Sequence, residues 1–190
     1  MSNHLHLPLG WNCNSAKKLD TDGLRFTPYP FDWIGWHSYD SVMRIMDDGF
    51  QTAFNNVTLG ETSRLVGYRP GKQIKTFWDN DFKFLSAHDY WEGTTWEDVR
   101  AKFVAKHQKL VGDLSLATEV TLHIGHASDE SKDIAFNIYK GTEEAPGRLG
   151  ISVKDQIDYS KTLDELKAKF QEFAPNATIN AIEETYHGIL

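Results

Sequence analysis

The chain has 190 residues, of which 40% are hydrophobic and 13% aromatic, enough for one core of ordinary domain size and too many for extensive disorder. The formal net charge is −7 and no lysine- or arginine-rich block occurs, which argues against nucleic acid and anionic membranes as partners. A single cysteine excludes an intramolecular disulfide and a cysteine-rich zinc site. We expect one domain over residues 1–190, and a cytoplasmic location because Met1–Leu9 lacks a signal-peptide pattern.

The first segment of the chain alternates between apolar and other residues and then reaches a glycine. Leucines at every second position of Leu5–Leu9 predict a short strand, and Gly10 follows as a turn. The next residues, Asn12–Leu19, predict a helix with Asn12 as its N-cap. Cys13 would then lie at the N-terminus of that helix.

The rest of the chain contains further predicted helices and strands. Two prolines make Leu24–Trp36 an aromatic loop, Ser38–Asp48 predicts a helix ended by Gly49, and residues 50–90 predict short strands and turns. Later predicted helices are Thr95–Gly112 and Thr162–Phe173, and later predicted strands are Glu119–Gly125, Asp133–Tyr139, Arg148–Val153 and Thr178–Glu184. This order predicts an α+β fold with a central, mainly antiparallel sheet flanked by helices.

Cys13 is the first candidate for chemistry. A helix N-terminus lowers a thiol pKa from about 8.5 through its unpaired N–H groups and its dipole, and the thiolate is the nucleophilic form. The same N–H groups can stabilise an oxyanion, with the Asn12 side chain as a further donor. The alternative is that Cys13 is a small buried hydrophobe in the core.

Several strings of residues resemble a family of mainly bacterial proteins described as papain-like cysteine peptidases. The resemblance covers the N-terminal half and, more loosely, the helix from Trp96. Its pattern is Leu-Gly-x-x-Cys, then Pro-Phe-Asp-Trp, then His-Asp followed by an aromatic residue. The matching strings are Leu9-Gly10-Trp11-Asn12-Cys13, Ala16, Leu19, Gly23-Leu24-Arg25, Tyr29-Pro30-Phe31-Asp32-Trp33 and His88-Asp89-Tyr90.

This resemblance implies a papain-like fold in which a cysteine nucleophile at a helix N-terminus pairs with a histidine later in the chain. His88 is the first choice as general base, because it matches the family marker and ends a predicted strand. Asp89 is a weaker choice for orienting His88, since neighbours on an extended strand face opposite ways, so Asp32 is preferred. Alternatively, Asp89 caps a turn, and Asp32 accepts backbone N–H groups or pairs with Arg25.

Other histidines leave alternatives open. His123 or His126, with Asn137 on a following strand, offers a rival base, although surface exposure explains His123 equally well. His107 and His187 are expected to be solvated. His4 and His6 share one strand face and could join His88, Asp89, His123 or His126 around zinc.

The predicted function is that of a thiol-dependent hydrolase or acyl transferase acting on a peptide or another acyl or carbonyl substrate, without a cofactor or a metal. Substrate contacts are assigned to residues flanking the motifs: Arg25, Phe31, Trp33, Tyr90 and Trp91. The aromatic residues Phe77, Trp78, Tyr90, Trp91 and Trp96 line either a sugar-binding cleft or the core. The competing functions are a non-catalytic glycan- or protein-binding module and a metal-dependent hydrolase with histidine ligands.

Overall fold

The computed structural model describes residues 3–9, 14–25, 27–32, 34–35, 38–63, 74–127 and 157–186, without the side chains of 61–63, 74, 87–88, 127 and 186. These residues form four α-helices, a short 3-10 helix and seven strands. In chain order they are β1 (His4–Pro8), α1 (Asn14–Thr21), the 3-10 helix (Pro30–Asp32), β2 (Ile34–Gly35), α2 (Tyr39–Asp48), β3 (Val57–Ser63), β4 (Ile74–Asp79), β5 (Phe84–Trp91), α3 (Trp96–Leu116), β6 (Glu119–Ala127), α4 (Leu163–Phe173) and β7 (Thr178–Tyr186).

The strands form two sheets, which corrects the prediction of one mainly antiparallel sheet. Antiparallel pairing holds in a four-stranded sheet with the order β2-β5-β4-β3. The other sheet has three strands in the order β1-β6-β7, and both of its pairings are parallel. Parallel neighbours require long crossover connections, which the helices between β1 and β6 and before β7 supply.

The two faces of the parallel sheet are covered differently. Alternate residues, including Leu7, Val120 and Leu122, lie in one hydrophobic core with α2, α3, α4 and the antiparallel sheet. Helix α1 packs against β1 and β6 on the opposite face. There Lys18 Nζ of α1 lies 3.9 Å from Glu184 Oε1 of β7.

Three helices begin where the sequence predicts. Ser38, Thr95 and Thr162 are the N-caps of α2, α3 and α4, and each forms a capping box with the residue three positions later. Helix α2 ends at Gly49, which has the left-handed φ of 63°. Helix α3 continues to Leu116, beyond the predicted end.

His107 lies in the core, so the prediction that it is solvated is wrong. It is 8% exposed and its Nε2 lies 3.2 Å from the carbonyl oxygen of Met46. The ring packs so closely on Gly49 that a Cβ there would lie 3.1 Å from His107 Nδ1. Burial lowers the pKa of His107, which keeps the ring neutral in the core.

Of the five aromatic residues considered for a sugar cleft, two are fully buried and two more, Tyr90 and Trp96, are partly buried against the core. Phe77 and Trp78 of β4 are fully buried. Tyr90 stacks on Trp96 with ring centroids 4.2 Å apart. The predicted loop between α1 and α2 contains the 3-10 helix and β2, and the strands predicted at 133–139 and 148–153 lie outside the described residues. None of the described helices is both long and apolar enough to span a bilayer.

Candidate active site

The segment that contains Cys13 lies between a strand and a helix. Gly10, Asn12 and Cys13 are themselves outside the described residues, as is Trp33. On one side, Leu9 extends the β1–β6 pairing, because its N–H donates to the carbonyl oxygen of His123 at 2.8 Å. On the other side, α1 begins at Asn14, the residue that follows Cys13. Ligand sites of parallel sheets lie outside the carboxyl ends of the strands, which is where this segment starts.

His88 lies within β5 and not at the end of a strand as predicted. The ladder between β4 and β5 pairs Phe77 with Ser86 and Lys75 with Tyr90. Residues 87–89 of β5 therefore lie across from Thr76 alone, so β5 bulges around His88. A bulge interrupts the alternation of side chains along a strand. Alternation therefore no longer weighs against Asp89 as a partner of His88.

Asp89 is held in place by two side chains. Its side chain is only 2% exposed, and it forms an ion pair with Lys102 of α3. Ser86 Oγ donates to Asp89 Oδ2 at 2.7 Å. Asp89 lies in a strand and does not cap a turn, contrary to the alternative considered for it.

Asp32 is the most deeply buried carboxylate of the motif, with no exposed side-chain area. Its Oδ2 accepts the Tyr29 N–H at 2.8 Å and pairs with the guanidinium of Arg25, which also binds Asp20. Its Oδ1 is buried and has no hydrogen-bond partner in the described part of the chain. Burial raises the pKa of Asp32 to about 6, although the nearby Arg25 favours the charged form.

The backbone brings Asp32 towards the His88 segment. β2 pairs with β5 in antiparallel fashion, with Ile34 opposite Ser86. Asp32 precedes Ile34 by two residues and His88 follows Ser86 by two, so both lie beyond the same end of this pairing. We call Arg25, Asp32, Asp89, Lys102 and Lys106 the charged cluster, because Lys106 of α3 interacts electrostatically with both carboxylates.

A second group of titratable side chains lies on β1 and β6. We call His4, His6 and His123 the histidine cluster. His6 Nδ1 lies 2.9 Å from His123 Nε2, and the rings of His4 and His6 lie 4.0 Å apart. His123 is 9% exposed, so the interpretation of it as a surface residue is wrong. Burial, reinforced by the neighbouring His6, lowers the pKa of His123 to about 4.

Of the residues considered as zinc ligands, His4, His6 and His123 lie together. Burial also lowers the pKa of His6, so both hydrogen-bonded rings are neutral at neutral pH. His126 and Asp89 do not join the histidine cluster. Within the described stretches, no three or more His, Cys, Asp or Glu side chains are arranged to hold a metal ion.

His126 lies at the carboxyl end of β6, three residues beyond His123. Its Nε2 lies 3.1 Å from Glu183 Oε1 of β7, which also accepts the Tyr39 hydroxyl at 3.3 Å. The orienting residue predicted for this histidine, Asn137, is outside the described residues. Glu183 was missed, because only the register between two strands distant in the sequence places it beside His126.

The proposed substrate contacts differ in accessibility. Phe31 is 2% exposed and belongs to the hydrophobic core, which favours a packing role. Arg25 has a side chain only 8% exposed and is engaged by two carboxylates. Tyr90 and Trp91 are partly buried at the end of β5. A role in substrate binding stays a prediction for each of them.

The fold and the site define a mixed helix-and-sheet protein with a cysteine after its first strand and a charged cluster, whose two carboxylates are buried, beside a strand that bulges. Residues 5–136 match the sequence model of a family described as "Putative papain-like cysteine peptidase (DUF1796)". The chain belongs to this family, as the resemblance of its motifs implied. No curated protein and no solved structure matches the chain.

Proposed function

We propose that this protein is a thiol-dependent hydrolase or acyl transferase of the papain-like cysteine peptidase type, acting on a peptide or another acyl substrate. Cys13 is the nucleophile, His88 is the general base, and Asp32 orients the His88 ring. The observation that carries the proposal is the buried Asp32 Oδ1, which has no hydrogen-bond partner among the described residues and stands two residues before Ile34, whose pairing with Ser86 sets β2 beside the strand of His88. A buried acceptor without a partner is costly, and such groups are typical of functional sites.

The reaction follows from these roles. Cys13 Sγ bonds to the carbonyl carbon of the substrate while its proton moves to the imidazole of His88. The backbone N–H of Cys13 and the side chain of Asn12 donate to the oxyanion that forms. Cleavage of the bond to the leaving group follows, and the leaving group takes the proton from the imidazolium. Water or an amine then attacks the thioester with His88 as base, which releases the acyl product and restores the thiol.

Asp32 and Asp89 have different parts in this proposal. Asp89 is already occupied by Ser86 and Lys102, so it fixes the bulged strand that carries His88. Asp32 has one oxygen occupied and one without a partner among the described side chains, so it can accept the imidazole N–H of His88. A carboxylate in this position selects the tautomer of the ring and stabilises the imidazolium.

His126 is the alternative base. The hydrogen bond to Glu183 resembles the contact between a base and its orienting carboxylate, and β6 lies directly beside β1. His126 is, however, exposed, and its carboxylate partner is also exposed. An exposed carboxylate orients an imidazole less firmly than a buried one, because solvent screens the contact.

The test is hydrolysis of N-acetylglycine para-nitrophenyl ester. We expect Cys13→Ser to lower kcat/KM by about 10³-fold or more and His88→Gln by about 10²-fold or more. The matched control is His126→Gln, which removes an exposed imidazole and leaves the activity within about 3-fold. Circular dichroism and thermal unfolding establish that each variant is folded.

The results distinguish whether the thiol is the nucleophile, which histidine is the base, and whether the reaction is hydrolysis or transfer. Full activity in folded Cys13→Ser protein would eliminate the thiol mechanism. A large loss in His126→Gln, with His88→Gln unaffected, would assign the base to His126. Product analysis with an added amine separates transfer from hydrolysis, because transfer yields the amide in place of the free acid.

A further inference from the structure

Helix α1 packs against the face of the parallel sheet on which the histidine cluster lies. Leu7 and Leu122 belong to the hydrophobic core, so strand alternation places their neighbours His6 and His123 on the opposite face. The two rings are in contact there, with His6 Nδ1 2.9 Å from His123 Nε2 and ring centroids 5.2 Å apart. A hydrogen-bonded pair of imidazoles therefore lies on the side of the sheet that α1 covers.

Helix α1 is held on this face by few contacts. It has 8 residues, and isolated helices shorter than about 12–15 residues are marginal in water. Its buried apolar side chains are Ala16 and Leu19, and neither belongs to the hydrophobic core on the other face of the sheet. Ser15 is also buried, and its Oγ has no hydrogen-bond partner among the described residues, which is costly. The helix therefore depends on the sheet face beneath it.

Charged and titratable groups from four elements act on the protonation of the histidine pair. They are Lys18 of α1, His4 of β1, Glu119 of β6 and Glu184 of β7. The two basic groups oppose a positive charge on the pair, and the two glutamates favour it. Burial has the largest effect and lowers the pKa of both rings, that of His123 to about 4. Both rings are therefore neutral at neutral pH, and their hydrogen bond is intact.

Protonation of both rings removes this contact. An imidazolium has N–H donors at both nitrogens and no acceptor, so two imidazoliums form no hydrogen bond with each other. The two positive charges also repel, since the facing nitrogens are 2.9 Å apart. Charges of this kind are costly unless water reaches them. Because α1 covers this face, hydration of the two rings requires the helix to move away.

We propose that acidification releases α1 from the parallel sheet, because charging the His6–His123 pair breaks its hydrogen bond and brings water under the helix. The hydrophobic core and α3 stay folded, so the change is local and precedes unfolding of the whole protein. The release involves described residues alone and does not depend on the proposed catalytic activity. Helix α1 begins directly after Cys13, so its release also takes the helix N-terminus away from the thiol. That consequence for activity rests on the proposed function.

Amide hydrogen exchange of the wild-type protein measures the release. The protection factor, the ratio of intrinsic to observed exchange rate, corrects for the pH dependence of exchange itself. With the pKa of His123 at about 4 under α1 and 6.5 after release, the released form binds more protons, and lowering the pH from about 7 to about 5 shifts the equilibrium towards release by about 20-fold.

We expect the protection factor of the Leu19 amide in α1 to fall by about 20-fold or more over this pH range. That of the Leu110 amide in α3 should stay within about 3-fold, because the core remains folded. A constant protection factor for Leu19, or an equal fall for Leu110, would overturn the proposal.

Glutamine variants test whether the histidine pair is the cause. Glutamine does not titrate but still forms hydrogen bonds, so in His6→Gln/His123→Gln the protection factor of Leu19 should change by about 3-fold or less. Each single variant keeps one titrating ring and should show a fall between those of the double variant and the wild type. The test therefore does not depend on the double variant being folded.

The matched control is Lys17→Gln, which removes a positive charge from an exposed position of α1 and hardly changes the helix propensity. We expect it to keep the wild-type fall in protection. A wild-type fall in the double histidine variant, or loss of the fall in Lys17→Gln, would contradict the histidine pair as the cause.

Discussion

The charged cluster beside β5 and the histidine cluster on β1 and β6 both bury titratable side chains, but they satisfy them differently. His6 and His123 hydrogen-bond to each other, and burial lowers the pKa of both rings. The charged cluster instead contains ion pairs, and Asp32 has one buried oxygen to which the described part of the chain gives no partner. Neutral hydrogen-bonded rings are a stable way to fill a sheet face, whereas an incompletely satisfied carboxylate is typical of a site that awaits a ligand or a catalytic partner.

The largest expected effect tests whether only the charged cluster is functional. Asp32→Asn keeps the shape of the side chain but removes the charge that stabilises an imidazolium, so we expect kcat/KM for N-acetylglycine para-nitrophenyl ester to fall about 10²-fold or more. His123→Gln removes a member of the histidine cluster and leaves kcat/KM within about 3-fold. Similar losses in both folded variants would contradict the distinction between the clusters.

The second prediction concerns the stability of Asp32→Asn as a function of pH. Between pH values of about 4 and 6 the unfolded chain loses the Asp32 proton while the folded protein keeps it, so this group makes the wild type less stable as pH rises. Asp32→Asn has no carboxyl group to titrate here, so it does not lose stability from this source as pH rises. We expect the free energy of unfolding of the variant, relative to wild type, to rise by up to about 3 kcal/mol between pH 4 and pH 7. Urea denaturation at several pH values measures it, and a flat difference would mean that the carboxyl titrates normally.

The third prediction has the opposite sign and a similar size. The pKa of His123 falls from 6.5 to about 4 on folding, so its contribution to stability is complete above pH 6.5 and is lost as pH falls towards 4. His123→Gln should therefore remove up to about 3 kcal/mol of the acid-induced loss of stability. If the stability of His123→Gln depends on pH as that of the wild type does, His123 titrates at its usual pKa in the folded protein, which would contradict this prediction.

The smallest expected effect defines the edge of the charged cluster. Asp20 shares Arg25 with Asp32, but its side chain is 48% exposed. Solvent screens such a pair, so Asp20→Asn should lower the free energy of unfolding by about 1 kcal/mol or less and leave ester hydrolysis unchanged. Thermal and urea unfolding check the first part. A larger loss would show that Arg25 depends on both carboxylates to remain buried.

Local signals in the sequence predicted the helices well. Ser38, Thr95 and Thr162 are N-caps because their side-chain oxygens accept the N–H three residues later, and this depends on neighbouring residues alone. The alternation at Leu5–Leu9 predicted β1 for the same reason. The family assignment was confirmed by the match over residues 5–136.

Features that depend on pairing between distant segments were not predictable in this way. A two-residue period is the same for parallel and antiparallel strands, so the parallel sheet was missed. The burial of His123 depends on His6 and α1, and the contact of His126 with Glu183 depends on the β6–β7 register. The bulge at residues 87–89 appears only when β5 is compared with β4.

The most direct test of the central claim is the pH dependence of alkylation of native protein by iodoacetamide, followed by the mass of the Cys13 peptide. An activated thiol reacts with an apparent pKa well below about 8.5, and His88→Gln should raise that value towards the ordinary one, because the imidazolium partner is lost. Asp32→Asn should shift it in the same direction by less. A thiol that titrates near 8.5 or above in wild-type protein, or that reacts only after denaturation, would contradict the account.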